Sequence, residues 1–232
     1  MRFLAFGLLV VLLVPALAIA RPHKKVQTNH HKMQVNHYPP PALPNTGKVT
    51  PTLKSPPAST LMLGKNDVQL EDTTLSEVRN QARRGYIQHR GDAGTSENWL
   101  CYSVPFKKYT ERIWLSSGEL GGSRHSITSF YAEIAGKSKE TIYCPNLSPS
   151  FIPASIRLRG KAGDESFWLG SSVDDLMKLM GRPSAKIGPW LIYFYSGKVP
   201  IAGVAYDRSQ LMGARINGGT TTALFQSQTT TY

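Results

Sequence analysis

The tetrapeptide "WLIY", Trp190–Tyr193, has a near copy in "WLCY", Trp99–Tyr102, in a chain with no other obvious repetition. Trp, Tyr, Ile and Leu in so short a run are typical of a buried β-strand. Each tetrapeptide follows a segment with helical spacing of apolar residues, joined to it by a polar loop. We therefore compare the two regions as copies of one unit.

A capped helix is predicted ahead of each tetrapeptide. In "TTLSEVRNQARRGY" Thr74 and Glu77 fit a capping box, and in "GSSVDDLMKLMGRPS" Ser172 and Asp175 fit the same pattern. Gly181 ends the second helix and the proline after it prevents resumption. Apolar residues at helical spacing follow each cap: Leu75, Val78 and Ala82 in the first copy, and Val173, Leu176, Leu179 and Met180 in the second.

Strands are predicted after each helix. The first copy offers "WLCYSV", "ERIWLSS" and "RHSITSFYAEIA", and the second offers "PWLIYFYS", "VPIAGVAYD" and "LMGARIN", with breaks at "SGK" and "DRSQ". Alternation in the second copy places Trp190, Ile192 and Phe194 on one face and the residues between them on the other. Both faces are apolar, so cover is expected on each. The predicted class is α+β, with two helix-plus-antiparallel-meander repeats forming a layered helix/sheet domain.

Composition divides the chain into five segments. We predict a signal peptide over 1–20, a disordered basic Pro/His-rich leader over 21–66, a first α+β repeat over 67–144, a connector over 145–169 and a second α+β repeat over 170–232. In the leader, prolines recur and apolar residues are too few to bury a core, which is typical of a polyproline II spacer.

The first twenty residues have the order of a secretory signal. Arg2 precedes an apolar run, Pro15 interrupts it, and Ala18-Ile19-Ala20 offers a cleavage site. The run is short for a membrane span, and no cysteine follows the site to carry a lipid anchor. We expect a soluble periplasmic or secreted protein, cleaved after Ala20.

The net charge of +12 lies mostly in the leader. Residues 21–66 hold seven Lys or Arg and no acidic residue, whereas 19 basic and 15 acidic residues follow. A nucleic-acid-binding domain would carry its cations on the folded surface, so we expect no nucleic-acid partner. The leader could contact anionic lipid or cell-wall polymer weakly.

In an oxidising compartment Cys101 and Cys144 are expected to form a disulfide. Two cysteines make a poor metal site, because structural zinc takes four ligands. The chain lacks HExxH, G-x-S-x-G and phosphate-binding loop motifs, so no catalytic, metal or cofactor residues are assigned. Four aromatic residues are instead the candidates for binding a partner: Trp99, Trp114, Tyr131 and Trp190.

A family resemblance is carried by Gly170 to Tyr193, through Gly-Ser-Ser-Val, Leu-Met-Gly-Arg-Pro-Ser and the Trp and Tyr that follow. This pattern resembles the small lipoprotein of the outer-membrane β-barrel assembly complex, and a tandem copy is similar to the β-lactamase-inhibitory-protein fold. The first copy, Thr74 to Tyr102, matches loosely because it lacks the Gly-x-Pro. The resemblance implies an α+β unit that binds other proteins without catalysis.

The sequence thus predicts an exported, envelope-associated protein-binding or adaptor module that does not act as an enzyme. Two alternatives stay open at this point. One is an exported hydrolase with a non-standard site, which would need a deep pocket lined by titratable groups. The other is a module that binds anionic surfaces through its basic leader.

Overall fold

A computed structural model describes residues 38–152, 154–158 and 166–231. The predicted signal peptide and the first part of the predicted leader, residues 21–37, lie outside these residues. Among the residues described, no helix has the length and apolar character needed to cross a membrane.

Most of the described chain is antiparallel β-sheet. An eight-stranded sheet has the order β3-β4-β5-β6-β12-β11-β10-β9. Its strands are β3 (Gln88–Arg90), β4 (Glu97–Pro105), β5 (Thr110–Ser117), β6 (Ser129–Ala135), β9 (Ala185–Ile187), β10 (Trp190–Ile201), β11 (Val204–Asn217) and β12 (Thr220–Thr231).

A smaller sheet has the order β2-β1-β7-β8. Its strands are β1 (Ala58–Leu63), β2 (Asn66–Gln69), β7 (Ala154–Leu158) and β8 (Ser166–Phe167). The two α-helices of the described residues are α1 (Leu75–Ala82) and α2 (Val173–Met180), and single 3₁₀ turns lie at Ala93–Thr95, Glu119–Gly121 and Pro149–Phe151.

The predicted α+β class is therefore wrong. The two helices are eight residues each, whereas the described chain is dominated by two antiparallel sheets of four and eight strands. Helix-on-meander layering was expected because each helix carries an apolar stripe. β1, β2, β7 and β8 form a second sheet of their own, which the sequence pattern did not predict.

Two domain boundaries also need correction. The predicted disordered leader ends at residue 66, but β1 and the start of β2 lie before that point, and residues 38–57 make defined contacts. The predicted connector, 145–169, contains β7 and β8, and β7 pairs with β1 along Leu63↔Ala154 to Ala58↔Leu158. Pairing between distant parts of the chain thus orders parts of the leader and of the connector, which their composition alone had indicated to be spacers.

The helix termini follow the sequence prediction closely. Thr74 Oγ1 accepts from the Glu77 N–H at 3.2 Å, and the Glu77 carboxylate accepts from the Thr74 N–H at 2.7 Å, which completes a capping box. Ser172 Oγ accepts from the Asp175 N–H at 3.0 Å and caps α2. These local hydrogen bonds satisfy the first free amides of each helix.

Two long hairpins replace the predicted breaks. β10 runs through "SGK" and β11 through "DRSQ", and they pair continuously from Trp190↔Arg215 to Ile201↔Val204. Their tight turn is Ala202–Gly203, with φ of 49° and 83°. The turn from β11 to β12 is Gly218–Gly219, with φ of 56° and 80°. Positive φ at both central residues gives the hairpin twist that matches the strands.

The eight-stranded sheet is covered on both faces. One face, with Leu100, Ile113 and Tyr193, packs in the main core against residues of the helices and the smaller sheet. The other face contributes Trp99, Trp114 and Ile192 to a second apolar cluster. The alternation predicted for "PWLIYFY" is confirmed, since Trp190 and Ile192 contact the second cluster while Leu191 and Tyr193 belong to the first.

Candidate functional site

Five large aromatic side chains converge on one face of the eight-stranded sheet. Trp114 and Tyr131 meet edge to face with ring centroids 5.6 Å apart, Tyr131 and Trp190 are 6.4 Å apart, and Trp190 and Phe225 are 5.4 Å apart. Trp99 belongs to the same cluster. We call these five residues the aromatic face. It brings together all four aromatic residues that the sequence nominated and adds Phe225.

The aromatic face is not open to solvent. Trp99 and Trp114 are each 2% exposed and Tyr131 is 4% exposed, while Trp190 is half-buried. Part of its cover is irregular chain from the predicted leader, because Tyr38 and Val49 pack against the cluster. We call residues 38–53 the covering segment.

The first end of the covering segment is held by Tyr38. The Trp114 indole N–H donates to the Tyr38 carbonyl at 3.0 Å, and the Tyr38 N–H donates to Gln88 Oε1 at 3.3 Å. The Arg112 guanidinium lies 5.1 Å from the centroid of the Tyr38 ring, a cation–π distance. Both the backbone and the ring of Tyr38 therefore make specific contacts with residues of the sheet.

Gln88 connects this end to the disulfide. Its Nε2 donates to the Tyr143 carbonyl at 2.9 Å, and the next residue, Cys144, is bonded to Cys101 of β4 with a Cα–Cα distance of 4.6 Å. Gln88 itself is 4% exposed, so its side chain is held away from bulk water. The expected Cys101–Cys144 disulfide thus fixes the loop against which Tyr38 is anchored.

The middle of the covering segment is separated from the sheet in part by a cavity. A cavity of about 170 Å³ lies between its residues Pro40 to Leu43 and sheet residues that include Arg90 and Tyr131. Further along, Asn45 Oδ1 accepts from the Gly47 N–H at 3.1 Å, and the Val49 N–H donates to the Thr46 carbonyl at 2.9 Å. These hydrogen bonds form a turn within the segment and not a link to the sheet.

The second end of the covering segment lies on the edge of β10. The N–H groups of Thr52 and Leu53 both donate to the Phe194 carbonyl at 3.1 Å, and Thr52 Oγ1 lies 2.7 Å from Ser184 Oγ. Leu53 makes a parallel bridge with Tyr195. The covering segment therefore links the β4–β5 half of the sheet to β10.

Burial perturbs one phenol of the aromatic face. Desolvation, reinforced by the nearby Glu133 carboxylate and opposed by Arg215, raises the pKa of Tyr131 to about 12. The Tyr131 hydroxyl donates to Glu133 Oε2 at 3.4 Å. The phenol is thus held neutral, as a hydrogen-bond donor at the border of the apolar cluster.

One indole of the aromatic face has an unused donor. Trp99 Nε1 is buried and makes no hydrogen bond among the described residues. A buried N–H without an acceptor costs about 1–3 kcal/mol. The cover now in place therefore satisfies Trp114 but not Trp99.

Two polar groupings of the described residues are accounted for by hydrogen bonding and helix capping. His89 Nδ1 lies 3.2 Å from Asn98 Oδ1, and Asn98 Nδ2 lies 3.3 Å from His125 Nδ1. Asp174 and Asp175 lie in the first turn of α2, where the positive end of the helix dipole stabilises negatively charged side chains. Within the described ranges, no three His, Cys, Asp or Glu side chains group closely enough to hold a metal ion.

Two larger surface clefts lie away from the aromatic face. One of about 600 Å³ is lined by Arg84, Tyr86 and Ile142. Another of about 520 Å³ is lined by Glu71 and Arg208, and there the Glu71 carboxylate already accepts from Gln228 at 2.7 Å and lies 3.6 Å from Arg208. The Glu71 carboxylate thus connects β12 and β11 to the loop that precedes α1.

Comparisons of the chain with protein-family models, with curated proteins and with solved structures each returned no match. The candidate site is therefore defined by geometry alone. Sequence reasoning found its aromatic residues but missed the covering segment and Gln88. The signal available was Tyr38 followed by three prolines, an aromatic and rigid motif inside a tract that was interpreted only by its composition.

Proposed function

We propose that the protein is an exported protein-binding module of the cell envelope that acts without catalysis. The observation that carries this proposal is the aromatic face. It is covered partly by regular structure and partly by the irregular, half-buried covering segment. Clustered Trp and Tyr with a nearby Arg are the side chains enriched at protein interfaces. A surface of this composition, covered in part by loosely seated chain, is suited to binding.

The cysteine pair supports the export part of the proposal. Cys101 and Cys144 are disulfide-bonded, which is compatible with an extracellular compartment. The n, h and c order of residues 1–20 adds a cleavage site after Ala20. N-terminal sequencing of the exported protein should therefore begin at Arg21, and a chain that keeps Met1 would contradict cleavage.

The order of elements supports the family resemblance as part of the same proposal. A short helix, a short strand and three longer strands run from α1 to β6, and the same order recurs from α2 to β12. Trp99 and Trp190 lie in β4 and β10, each second from an edge of the sheet. The binding role that the resemblance implies rests on this correspondence.

In-cell photo-crosslinking tests the proposal. A photoreactive phenylalanine replaces Arg90, which is exposed and lines the cavity between the sheet and the covering segment, and in a matched variant it replaces the exposed Lys178 of α2. We expect a discrete crosslinked protein from position 90 and none from position 178. Absence of crosslinks at position 90, or the same adducts from both positions, would contradict binding through this face.

A further inference from the structure

We propose that the covering segment is an internal ligand, and that the aromatic face takes from a partner protein an extended proline-rich segment with an aromatic residue at its start. The partner segment displaces residues 38–53 to bind. This inference rests on the proposed function and adds to it the chemistry of the ligand and a built-in competitor.

The covering segment is held in a way that permits displacement. Each residue from 38 to 55 is half-buried or exposed, whereas the tryptophans beneath are 2% exposed. Its hydrogen bonds to the sheet lie at its two ends, at Tyr38 and at Thr52–Leu53. Its apolar side chains Tyr38 and Val49 pack against the cluster, and because the face beneath is strongly apolar, the incoming ligand has to cover it again.

The fold provides a fixed point beyond which displacement does not propagate. Pro56, Pro57 and Ala58 are buried directly after the exposed Lys54 and Ser55. The Ala58 carbonyl accepts from Gln226 Nε2 at 3.0 Å and also from Gln210 Nε2. Displacement of residues 38–53 therefore removes Leu53 from its packing against the main core but ends before the hydrogen-bonded Ala58.

The contacts of Tyr38 and the prolines define the ligand. Consecutive prolines fix φ near −65° and favour an extended polyproline II chain, which binds to aromatic-lined grooves at a low entropy cost. Here Pro40 and Pro41 line a cavity together with Tyr131, and Trp114 donates to the backbone carbonyl that precedes the prolines. Arg112 on the Tyr38 ring adds a preference for an aromatic residue ahead of them.

The internal ligand fits the face incompletely. Trp99 Nε1 has no acceptor, and a cavity of about 170 Å³ remains under Pro40 to Leu43. A partner segment that fills this cavity would bind better than residues 38–53. The tethered segment has the advantage of high effective concentration, so the face stays covered until such a partner arrives.

Peptide exchange tests the inference on the full-length protein. The probe is a dye-labelled peptide with the sequence of residues 38–53, and binding is followed by fluorescence anisotropy. In the release variant, Tyr38→Ala with Val49→Ser weakens the internal ligand. We expect the peptide to bind the release variant at least tenfold more tightly than the wild type, because apparent affinity scales with the uncovered fraction.

Matched controls separate exchange from non-specific binding. Lys48→Ala with Thr50→Ala changes exposed positions of the same segment and should leave peptide affinity at the wild-type value. A peptide of the same composition in shuffled order should not bind the release variant. Equal affinities for the wild type and the release variant, or for the ordered and shuffled peptides, would overturn the inference.

A second measurement needs no substitution. An excess of the same peptide, labelled with ¹³C so that its fragments differ in mass, should speed hydrogen exchange at Thr52 and Leu53 of the wild-type protein. Unchanged exchange at saturating peptide would overturn the inference. Dimers of the release variant that the peptide does not dissociate would also overturn it, in favour of a second copy as occupant.

The two proposals can fail separately. Exchange of the peptide without any crosslink at position 90 in cells would retain the internal ligand and reject the envelope partner. Crosslinks at position 90 without exchange would retain a binding protein and reject displacement.

Discussion

At the scale of single residues, two tryptophans of the aromatic face differ in one hydrogen bond. Trp99 and Trp114 are equally buried, but Trp114 donates to the Tyr38 carbonyl and Trp99 has no acceptor. Trp→Phe removes the same atoms at both positions. Trp114→Phe should therefore reduce the free energy of unfolding by about 1 kcal/mol more than Trp99→Phe does. Urea denaturation of the two variants measures the difference, and a larger loss for Trp99→Phe would contradict it.

Tyr131 gives the fold a dependence on alkaline pH. Its pKa of about 12 exceeds the usual value near 10, so the folded protein binds the phenol proton more tightly than the unfolded chain does. The stabilisation is complete below about pH 10 and is lost as pH rises towards 12, at up to about 1.4 kcal/mol per pH unit. Tyr131→Phe should flatten this decline in unfolding experiments between pH 9.5 and 11.5.

One comparison sharpens the Tyr131 prediction. Burial raises the pKa of Tyr193 to about 12 as well, so part of the decline should persist in Tyr131→Phe. A slope unchanged by Tyr131→Phe would show that its phenol is not held neutral by the fold.

At the scale of elements, the β10–β11 hairpin contains a strained turn. Ala202 has a φ of 49°, in the left-handed region where a Cβ is unfavourable by about 1–2 kcal/mol. Ala202→Gly should stabilise the protein by about 0.5–1 kcal/mol after the entropy of the more flexible unfolded chain is subtracted. Ala205→Gly, in β11, should destabilise it by a similar amount. Thermal melts of both variants test the opposite signs, and a lower melting temperature for Ala202→Gly would refute the strain.

Local signals predicted the helices, and long-range pairing decided the sheets. The caps at Thr74 and Ser172 depend on hydrogen bonds within four residues, so their sequence pattern was sufficient. The break predicted at "SGK" was wrong because Gly197 pairs with Arg208 across the hairpin. Glycine and polar residues are local turn signals. Pairing with a neighbouring strand can hold the same residues in an extended conformation.

At the scale of the whole molecule, the disulfide contributes strongly to stability. Cys101 and Cys144 are 43 residues apart, and cross-linking a loop of that length stabilises a fold by about 4 kcal/mol on the chain-entropy estimate. The double variant Cys101→Ala, Cys144→Ala should lose about this much in urea unfolding. Reductant should destabilise the wild type similarly and leave the double variant unchanged. Equal midpoints for oxidised wild type and double variant would contradict the prediction.

The candidate site was predicted in part for the same physical reason. The residues Trp99, Trp114, Tyr131 and Trp190 stand out by type, and strand alternation correctly separated the two faces of β10. The cover of that face could not be inferred, because Tyr38 meets Gln88 and Trp114 across 50 and 76 residues of sequence. Proline-rich composition predicts the conformation of an isolated segment. It does not predict that distant strands will form a surface on which that segment packs.

The anchoring of Ala58 has a consequence for how the chain is made. Translation releases residue 58 long before Gln210 and Gln226, whose amides hold its backbone in place. β1 can pair with β2 soon after it is made, but the amides that hold Ala58 are synthesised 152 and 168 residues later. The smaller sheet therefore cannot be fixed to the eight-stranded sheet at this point until β11 and β12 have been synthesised.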